Sequence, residues 1–139
     1  MLICALGILK KDSKILFLRR QNTAFSNGYY GLIGGTIEKD ESVADALIRE
    51  VYEEINININ KENLKFVHCL SYKNEKHEDV LALVFDIIDW QGQPFNKEPH
   101  KCIDLAWFSF NELPADLTSL NRQVIEMVHN SISYSENGW

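Results

Sequence analysis

One segment of the chain, residues 42–56, has the residue spacing of an amphipathic helix. Its apolar residues recur at intervals of three and four positions and so form a single stripe: Ala44, Leu47, Ile48, Val51 and Ile55. Ser42 and Asp45 resemble a capping box at the start of the segment. Asn56 suits a left-handed cap at its end. The segment is therefore predicted to be a helix with one buried face.

Runs of β-branched and aromatic residues lie on both sides of this helix. They predict strands over residues 2–9, 14–20, 64–72, 79–90 and 103–110, with a short strand in "LIGG" and a second helix over 117–131. Residues 80–85 are apolar on both faces, as in a central strand. Strands on both sides of a helix, followed by a final helix, predict an α/β fold in which helices cover both faces of a mixed sheet.

Length and charge narrow the possible functions. The 139 residues, 45% of them hydrophobic, predict one domain over residues 1–139. The net charge is −6 and no basic tail is present, so we expect no binding of nucleic acid through phosphate neutralisation. No run approaches the roughly eighteen apolar residues of a membrane span, so we expect no membrane partner.

The cysteines and the first residues favour a cytoplasmic protein. Cys4, Cys69 and Cys102 are odd in number and widely spaced, which argues against a disulfide framework or a zinc site. The first residues lack a basic leader and a small-residue cleavage site. We therefore expect reduced thiols and a cytoplasmic location.

The predicted helix gathers three carboxylates beside its apolar stripe. Glu50, Glu53 and Glu54 have one neighbouring cation, Arg49, which can pair with Glu53 one turn on. Like charges at this spacing destabilise a helix unless a cation compensates them. Crowded oxygen ligands are what Mg²⁺ or Mn²⁺ requires, and Mg²⁺ often shares substrate phosphate oxygens as ligands. The alternative is a solvated acidic helix face, and spacing alone does not decide between the two.

The residues around the cluster form a longer pattern, "GTIEKDESVADALIREVYEEINI", residues 35–57. It resembles the Nudix box: glycine, five residues, glutamate, seven residues, then Arg-Glu-aliphatic-x-Glu-Glu-x-Gly-aliphatic. Asn56 replaces the usual glycine and Ile33 a frequent proline. Other phosphate motifs fit worse, because the segment lacks the Gly-Lys-Ser/Thr of a P-loop, the dinucleotide fingerprint and the alternating acids of an EF-hand loop.

The resemblance to the Nudix family implies a fold and a set of site residues. The fold would be an α/β/α sandwich with a mixed sheet and a loop-helix-loop box. The positions that match the family's metal site are Glu41, Glu50, Glu53 and Glu54, with Gly34 close to the metal. Arg49 matches the arginine that orients the glutamates. Glu53 is the nearest candidate for the catalytic base, and Glu98, in a polar loop outside the box, is a second.

Residues before the box are expected to contact substrate. By the same resemblance, Arg19 or Arg20, at the end of a strand, would meet phosphate. Gly34 and Gly35 would let the backbone come close to the helix and the metal site, with Gly35 also among the residues expected to bind substrate. Tyr30, together with the aromatic residues of the loop before it, is a candidate stacking surface for a base. An alternative for Tyr30 is simple packing under the sheet.

The resemblance implies a Mg²⁺-dependent hydrolase of nucleoside diphosphates linked to another group, with a small nucleotide as its partner and a homodimer as a family-based expectation. Our first hypothesis is a nucleoside triphosphate pyrophosphohydrolase that releases monophosphate and pyrophosphate. Oxidised purine and pyrimidine triphosphates compete as substrates. Hydrolysis of ADP-ribose or a nucleotide sugar is the alternative within the family, and a noncatalytic nucleotide-sensing module is the alternative outside catalysis.

Overall fold

The predicted central helix is present in the computed structural model, which describes residues 1–139, as α1 (Val43–Ile55). The side-chain oxygen of Ser42 accepts a hydrogen bond from the backbone N–H of Asp45 at 3.0 Å. Asn56 ends the helix in the left-handed region, with φ 60° and ψ 35°. Both predicted caps are confirmed, so asparagine takes the conformation for which glycine is the commonest residue.

The buried face of α1 is rotated relative to the predicted stripe. Ala46 is fully buried, whereas Ala44 is only partly buried. The rotation turns Glu50 and Glu54 toward the sheet as well, where both reach the glycine pair that precedes the helix. The carboxylates therefore lie at the border of the core, as their spacing predicted, and two of them lie closer to it than expected.

Eight strands and a second helix complete the fold. The strands are β1 (Leu2–Lys11), β2 (Lys14–Arg20), β3 (Tyr30–Gly31), β4 (Ile33–Thr36), β5 (Leu64–Lys73), β6 (Asp79–Ile87), β7 (Cys102–Ser109) and β8 (Tyr134–Asn137), and the helix is α2 (Ser119–His129). They form one sheet in the order β3-β2-β1-β6-β5-β8, with β4 paired to β1 and β7 paired to β2. β1 and β6 run parallel, as do β5 and β8, whereas the other pairs are antiparallel. The sheet is therefore mixed, and β6 is one of its central strands.

The two helices pack on different cores. The core that holds the buried face of α1 includes Leu9, Leu16 and Ile33 from the sheet. The core that holds Val124 and Ile125 of α2 includes Phe17 and Val84. This arrangement confirms the predicted α/β/α sandwich. Neither helix has the length and apolar composition that would let it cross a membrane.

Most predicted elements agree with the observed ones to within two residues, and three differences have a structural reason. β6 ends at Ile87 because the chain then leaves the sheet, and Trp90 stacks on Trp107 with ring centroids 6.3 Å apart. α2 begins two residues later than predicted, because the Thr118 side chain caps it. β8 was not predicted at all, since its sequence, "YSEN", is polar and becomes a strand only by pairing with the edge of β5.

Candidate active site

The carboxylates of α1 line one wall of a cleft of about 420 Å³, which we call the acidic cleft. Five of its lining residues are acidic and three are basic: Glu38, Glu50, Glu53, Glu54 and Glu98, with Arg20, Arg49 and Lys101. β4 contributes Gly34 and Gly35 to the opposite wall. The cleft therefore carries excess negative charge although substrates with phosphate groups are also negative. This charge balance favours a cation in the cleft over an anion.

Arg49 organises the acidic side chains around it. Its guanidinium donates to both carboxylate oxygens of Glu41, at 2.8 and 3.1 Å, and to Glu50 at 3.0 Å. It also donates to Glu53 at 3.3 Å and to the carbonyl oxygen of Thr36. Glu41 lies behind Arg49 and does not line the cleft. The structure thus places Glu41 where it orients the arginine, and the arginine orients Glu50 and Glu53.

The two glycines of β4 bring backbone against the helix carboxylates. Gly34 has φ +138°, and a Cβ there would lie 2.0 Å from the carbonyl oxygen of Ala5. Its N–H donates to Glu54 at 2.8 Å. At Gly35 a Cβ would lie 2.6 Å from a carboxylate oxygen of Glu50. Gly34 therefore requires glycine for its backbone conformation, whereas a side chain at Gly35 would displace the carboxylate of Glu50.

Burial and mutual repulsion change the acidity of this cluster. Burial raises the pKa of Glu54 well above its ordinary value, and the neighbouring charge of Glu50 adds to the effect. Burial also raises the pKa of Glu50, partly offset by its hydrogen bond from Arg49. The hydrogen bond from Arg49 lowers the pKa of Glu41. The charged forms of Glu50 and Glu54 are thus poorly stabilised by the protein alone.

The loop before β7 places Glu98 in the same cleft. Main-chain N–H groups of Phe95 and Lys97 donate to the carbonyl oxygens of Ile55 and Glu54, the last residues of α1. Cys102 N–H donates to the Glu98 carbonyl oxygen, which closes the loop. The Glu98 side chain is 25% exposed and lies 3.8 Å from the ammonium of Lys101. The loop is therefore hydrogen-bonded directly to the end of α1.

The donor set of the cleft fits a hard divalent cation. The cleft offers carboxylate oxygens from Glu50, Glu53, Glu54 and Glu98, which are the ligand type that Mg²⁺ and Mn²⁺ prefer. No three acidic, histidine or cysteine side chains are already arranged as a ligand group. Glu50 and Glu53 accept hydrogen bonds from Arg49, and Glu54 accepts one from Gly34 N–H.

A second depression, which we call the neighbouring groove, opens on the other side of β4. It shares Arg20, Leu32, Gly34 and Gly35 with the acidic cleft. Its floor is largely apolar, formed by Leu2, Cys4, Leu6, Leu70, Tyr72, Val80, Ala82 and Val124. Phe25 and polar side chains from several loops form its rim. The two depressions thus place an acidic site and an apolar site on either side of one glycine strand.

Two of the residues predicted to bind substrate lie outside both depressions. Arg19 forms an ion pair with Asp116 at 2.9 Å and donates to the carbonyl oxygen of Gly28. Tyr30 is buried, and its hydroxyl donates to Asp104 at 3.0 Å. The structure brings Arg20 and Gly35 to the cleft and gives Arg19 and Tyr30 packing partners elsewhere.

Some lining residues carry no recognisable sequence signal. Glu38 falls in the unspecified part of the box pattern, and Lys101 lies beside Glu98 in the loop. The groove residues come from β1, β5, β6, α2 and β8, far apart along the chain. Only the pairing of strands brings them together, so no local pattern could have identified the groove.

Comparison with known proteins assigns the family. The NUDIX domain model matches residues 2–128. An ADP-ribose pyrophosphatase of Methanocaldococcus jannaschii is 33% identical over 108 residues, which are 78% of this chain and 62% of that protein. A NAD-capped RNA hydrolase, NudC, of Photorhabdus laumondii is 27% identical over 80% of this chain and 40% of that protein. The chain therefore spans about half the length of these curated relatives.

A solved structure shows the same fold. The MutT NUDIX hydrolase of Burkholderia pseudomallei superposes with a TM-score of 0.81 at 27% identity, covering 89% of this chain and 95% of that one. The family model, these similarities and the arrangement of Arg49 with the helix glutamates agree with one another. The chain belongs to the Nudix hydrolase family.

Proposed function

We propose that the protein hydrolyses the pyrophosphate linkage of a nucleoside diphosphate joined to another group, with a nucleoside triphosphate as the leading candidate substrate. The observation that carries the proposal is the junction of the two depressions at Gly34 and Gly35. A pyrophosphate in the acidic cleft would leave its nucleoside at the entrance of the apolar groove. Water would then attack one phosphorus, the bridging P–O bond would break, and monophosphate and pyrophosphate would leave.

The helix glutamates and Glu98 are the groups that we propose would hold Mg²⁺ or Mn²⁺. Such an ion, when bound, supplies charge neutralisation of the pyrophosphate and lowers the pKa of a bound water. Gly34 lies beside this site through its N–H contact to Glu54. The raised pKa values of Glu50 and Glu54 support the assignment, because a nearby cation would favour their ionised forms.

The chain's own residues take the remaining roles. Arg49 holds Glu50 and Glu53 in place, and Glu41 holds Arg49. Glu53, 46% exposed at the cleft, is our first candidate for the group that accepts the proton of the attacking water, and Glu98 is the second. Arg20 lines both depressions and is placed to contact a phosphate that spans them.

A second substrate class has a specific observation in its favour. The relative that is 33% identical is an ADP-ribose pyrophosphatase, so hydrolysis of ADP-ribose to two monophosphate products is the alternative. Both reactions need the same cleft chemistry and differ only in the group beyond the second phosphate. A noncatalytic sensing module is disfavoured, because Glu41, Arg49, Glu50, Glu53 and Glu54 are all present. The cytoplasmic location and the homodimer stay predictions.

The test is a release assay over a substrate panel. Purified protein is incubated with canonical and oxidised nucleoside triphosphates, ADP-ribose and nucleotide sugars, each with Mg²⁺, Mn²⁺ or EDTA. Metal-dependent release of pyrophosphate from triphosphates supports the leading proposal, whereas monophosphate products from ADP-ribose alone support the alternative. A folded protein that hydrolyses no member of the panel contradicts both.

A further inference from the structure

The last strand of the sheet lies beyond the residues that match the NUDIX domain model. The NUDIX domain model ends at residue 128, whereas β8 covers Tyr134–Asn137. β8 pairs in parallel with β5, and its residues alternate between the two faces of the sheet. Ser135 and Asn137 lie on the side of α2, so a segment beyond the residues matched by the model reaches the side of the groove.

β8 is held firmly by a buried histidine. His68 of β5 is fully buried, and its Nδ1 lies 2.7 Å from the carbonyl oxygen of Ile132. Because a carbonyl only accepts, Nδ1 donates, and in the neutral ring Nε2 then accepts from the Ser135 hydroxyl at 2.8 Å. Gln123 of α2 donates to the same hydroxyl oxygen at 3.0 Å. The strand is thereby tied to both β5 and α2.

Beyond this anchor, the segment forms one edge of the neighbouring groove. Asn137 lines the groove, and its Nδ2 donates to Gln123 Oε1 at 2.8 Å. Trp139 donates from its indole to the carbonyl oxygen of Ser71, and its ring lies 4.4 Å from the ammonium of Lys73, another groove residue. The bond to Gln123 orients the exposed Asn137 side chain, and Trp139 holds the residues after it against β5.

Asn137 differs from the other two asparagines that line the groove. The Oδ1 of Asn121 accepts from Leu32 N–H, and its Nδ2 donates to Thr118. The Oδ1 of Asn74 accepts from two backbone N–H groups of its own loop. The Oδ1 of Asn137 has no hydrogen-bond partner in the structure. It is therefore the side-chain amide oxygen of the groove that remains free to accept from a ligand.

We propose that β8 forms a selecting wall of the nucleoside site, with Asn137 as a specificity-determining residue. Its free oxygen would accept a hydrogen bond from a ring N–H or an exocyclic amino group at the edge of a heterocyclic base. The apolar floor of the groove would cover the face of the same base. This inference rests on the part of the proposed function that places the nucleoside in the groove.

The test compares two neighbouring residues of β8 that face opposite ways. Asn137→Ala removes the free oxygen, whereas Glu136→Ala, the matched control, removes an exposed side chain whose contact is with Tyr134. We measure kcat and KM for adenine, guanine, cytosine and uracil nucleotides. Asn137→Ala is expected to raise KM for the preferred base about 3- to 10-fold and to reduce the differences among bases, with kcat within about twofold of the wild type. Glu136→Ala is expected to change neither.

A binding measurement separates this inference from the proposed reaction. Affinity for the four nucleoside monophosphates is measured by calorimetry in the wild type and both variants, without any turnover. Weaker and less selective binding by Asn137→Ala supports the wall even if the release assay finds no hydrolysis. If binding and KM are both unchanged in that variant, the proposed role of β8 in selecting the base is contradicted, whereas the proposed hydrolysis is not affected.

Discussion

The acidic cleft and the neighbouring groove share a wall but are assembled in different ways. Three of the five carboxylates in the cleft come from neighbouring turns of α1. The groove draws its residues from strands and loops spread from Leu2 to Asn137, including one segment beyond the residues that match the NUDIX domain model. The proposed reaction site is thus determined by local spacing on one helix, and the proposed selection site by long-range pairing of strands.

The two regions also differ in what they contribute to stability. In the cleft, burial works against the charged forms of Glu50 and Glu54. In the groove, the floor is apolar, and Asn121 and Asn74 have hydrogen-bond partners. The function that we propose for the cleft would therefore oppose folding stability, whereas the floor of the groove is a continuation of the core.

The largest expected effect tests whether chemistry is confined to the cleft. Glu53→Gln should lower kcat by about 100- to 10,000-fold, because the amide neither accepts a proton from water nor carries charge. Nucleoside monophosphate affinity should stay within about twofold, since Glu53 does not line the groove. Glu126→Gln, an exposed carboxylate on α2, is the control and should retain full activity. A Glu53→Gln enzyme with normal kcat would contradict the assignment of the cleft.

The strand β4, which borders both depressions, offers a second test, because a side chain would have different effects at Gly34 and Gly35. Gly34→Ala puts a Cβ against backbone at positive φ and should reduce the free energy of unfolding by at least about 3 kcal/mol. Gly35→Ala meets the movable end of Glu50 and should instead lower kcat with little loss of stability. Urea unfolding and steady-state kinetics on both variants measure the two effects. Equal losses of stability would contradict this division of roles.

A smaller effect is expected from the residue behind the arginine. Glu41→Gln removes the charge from the strongest partner of Arg49 and should lower kcat or metal affinity about tenfold, as for other residues that support metal ligands. Nucleoside monophosphate affinity should not change, because Glu41 lines neither depression. Metal titration of activity separates the two contributions. A change confined to monophosphate affinity would show that the cleft and the groove are coupled through Arg49.

The smallest expected effect is a change in how much Mg²⁺ stabilises the folded protein as the pH changes. The pKa values of Glu50 and Glu54 are raised above their ordinary value of 4.5 in the folded chain. At pH values between 4.5 and these raised pKa values, the folded chain therefore binds more protons than the unfolded chain. Their contribution to stability is therefore greatest at the low end of this interval and is lost as pH rises through it. Mg²⁺ requires ionised carboxylates, so its stabilising effect should grow with pH.

Thermal unfolding with and without Mg²⁺ measures this dependence. At ten times Kd and neutral pH, Mg²⁺ should raise Tm by about 5 °C, and the increase should shrink as pH falls toward 4.5. Glu54→Gln should reduce the increase, whereas Glu126→Gln should leave it intact. An increase that is independent of pH would mean that the cation binds outside the carboxylate cluster.

This contrast between local and long-range assembly also explains which features the sequence predicted. The extent of α1 and its caps follow from periodicity and from residues such as Ser42 and Asn56, whose effects are local. The gathering of the glutamates around Arg49 follows from the spacing of the box. These features need no information from distant parts of the chain.

Features that depend on tertiary contacts were not predictable in the same way. Nothing near Arg19 in sequence indicates that Asp116 pairs with it, and nothing near Tyr30 indicates that Asp104 accepts its hydroxyl. β8 has weak strand propensity and forms because β5 has an open edge and His68 bonds to its backbone and to Ser135. Such partners are visible only once the strands are in register.

The attachment of the Glu98 loop to α1 has a consequence for how activity is lost. Phe95 and Lys97 bond to carbonyl oxygens that a helix end would otherwise leave to water. Fraying of the last helical turn therefore releases the loop at the same moment and separates Glu98 from Glu54. We therefore expect heating to abolish hydrolysis when the last turn of α1 opens locally. At that temperature the sheet should still be folded.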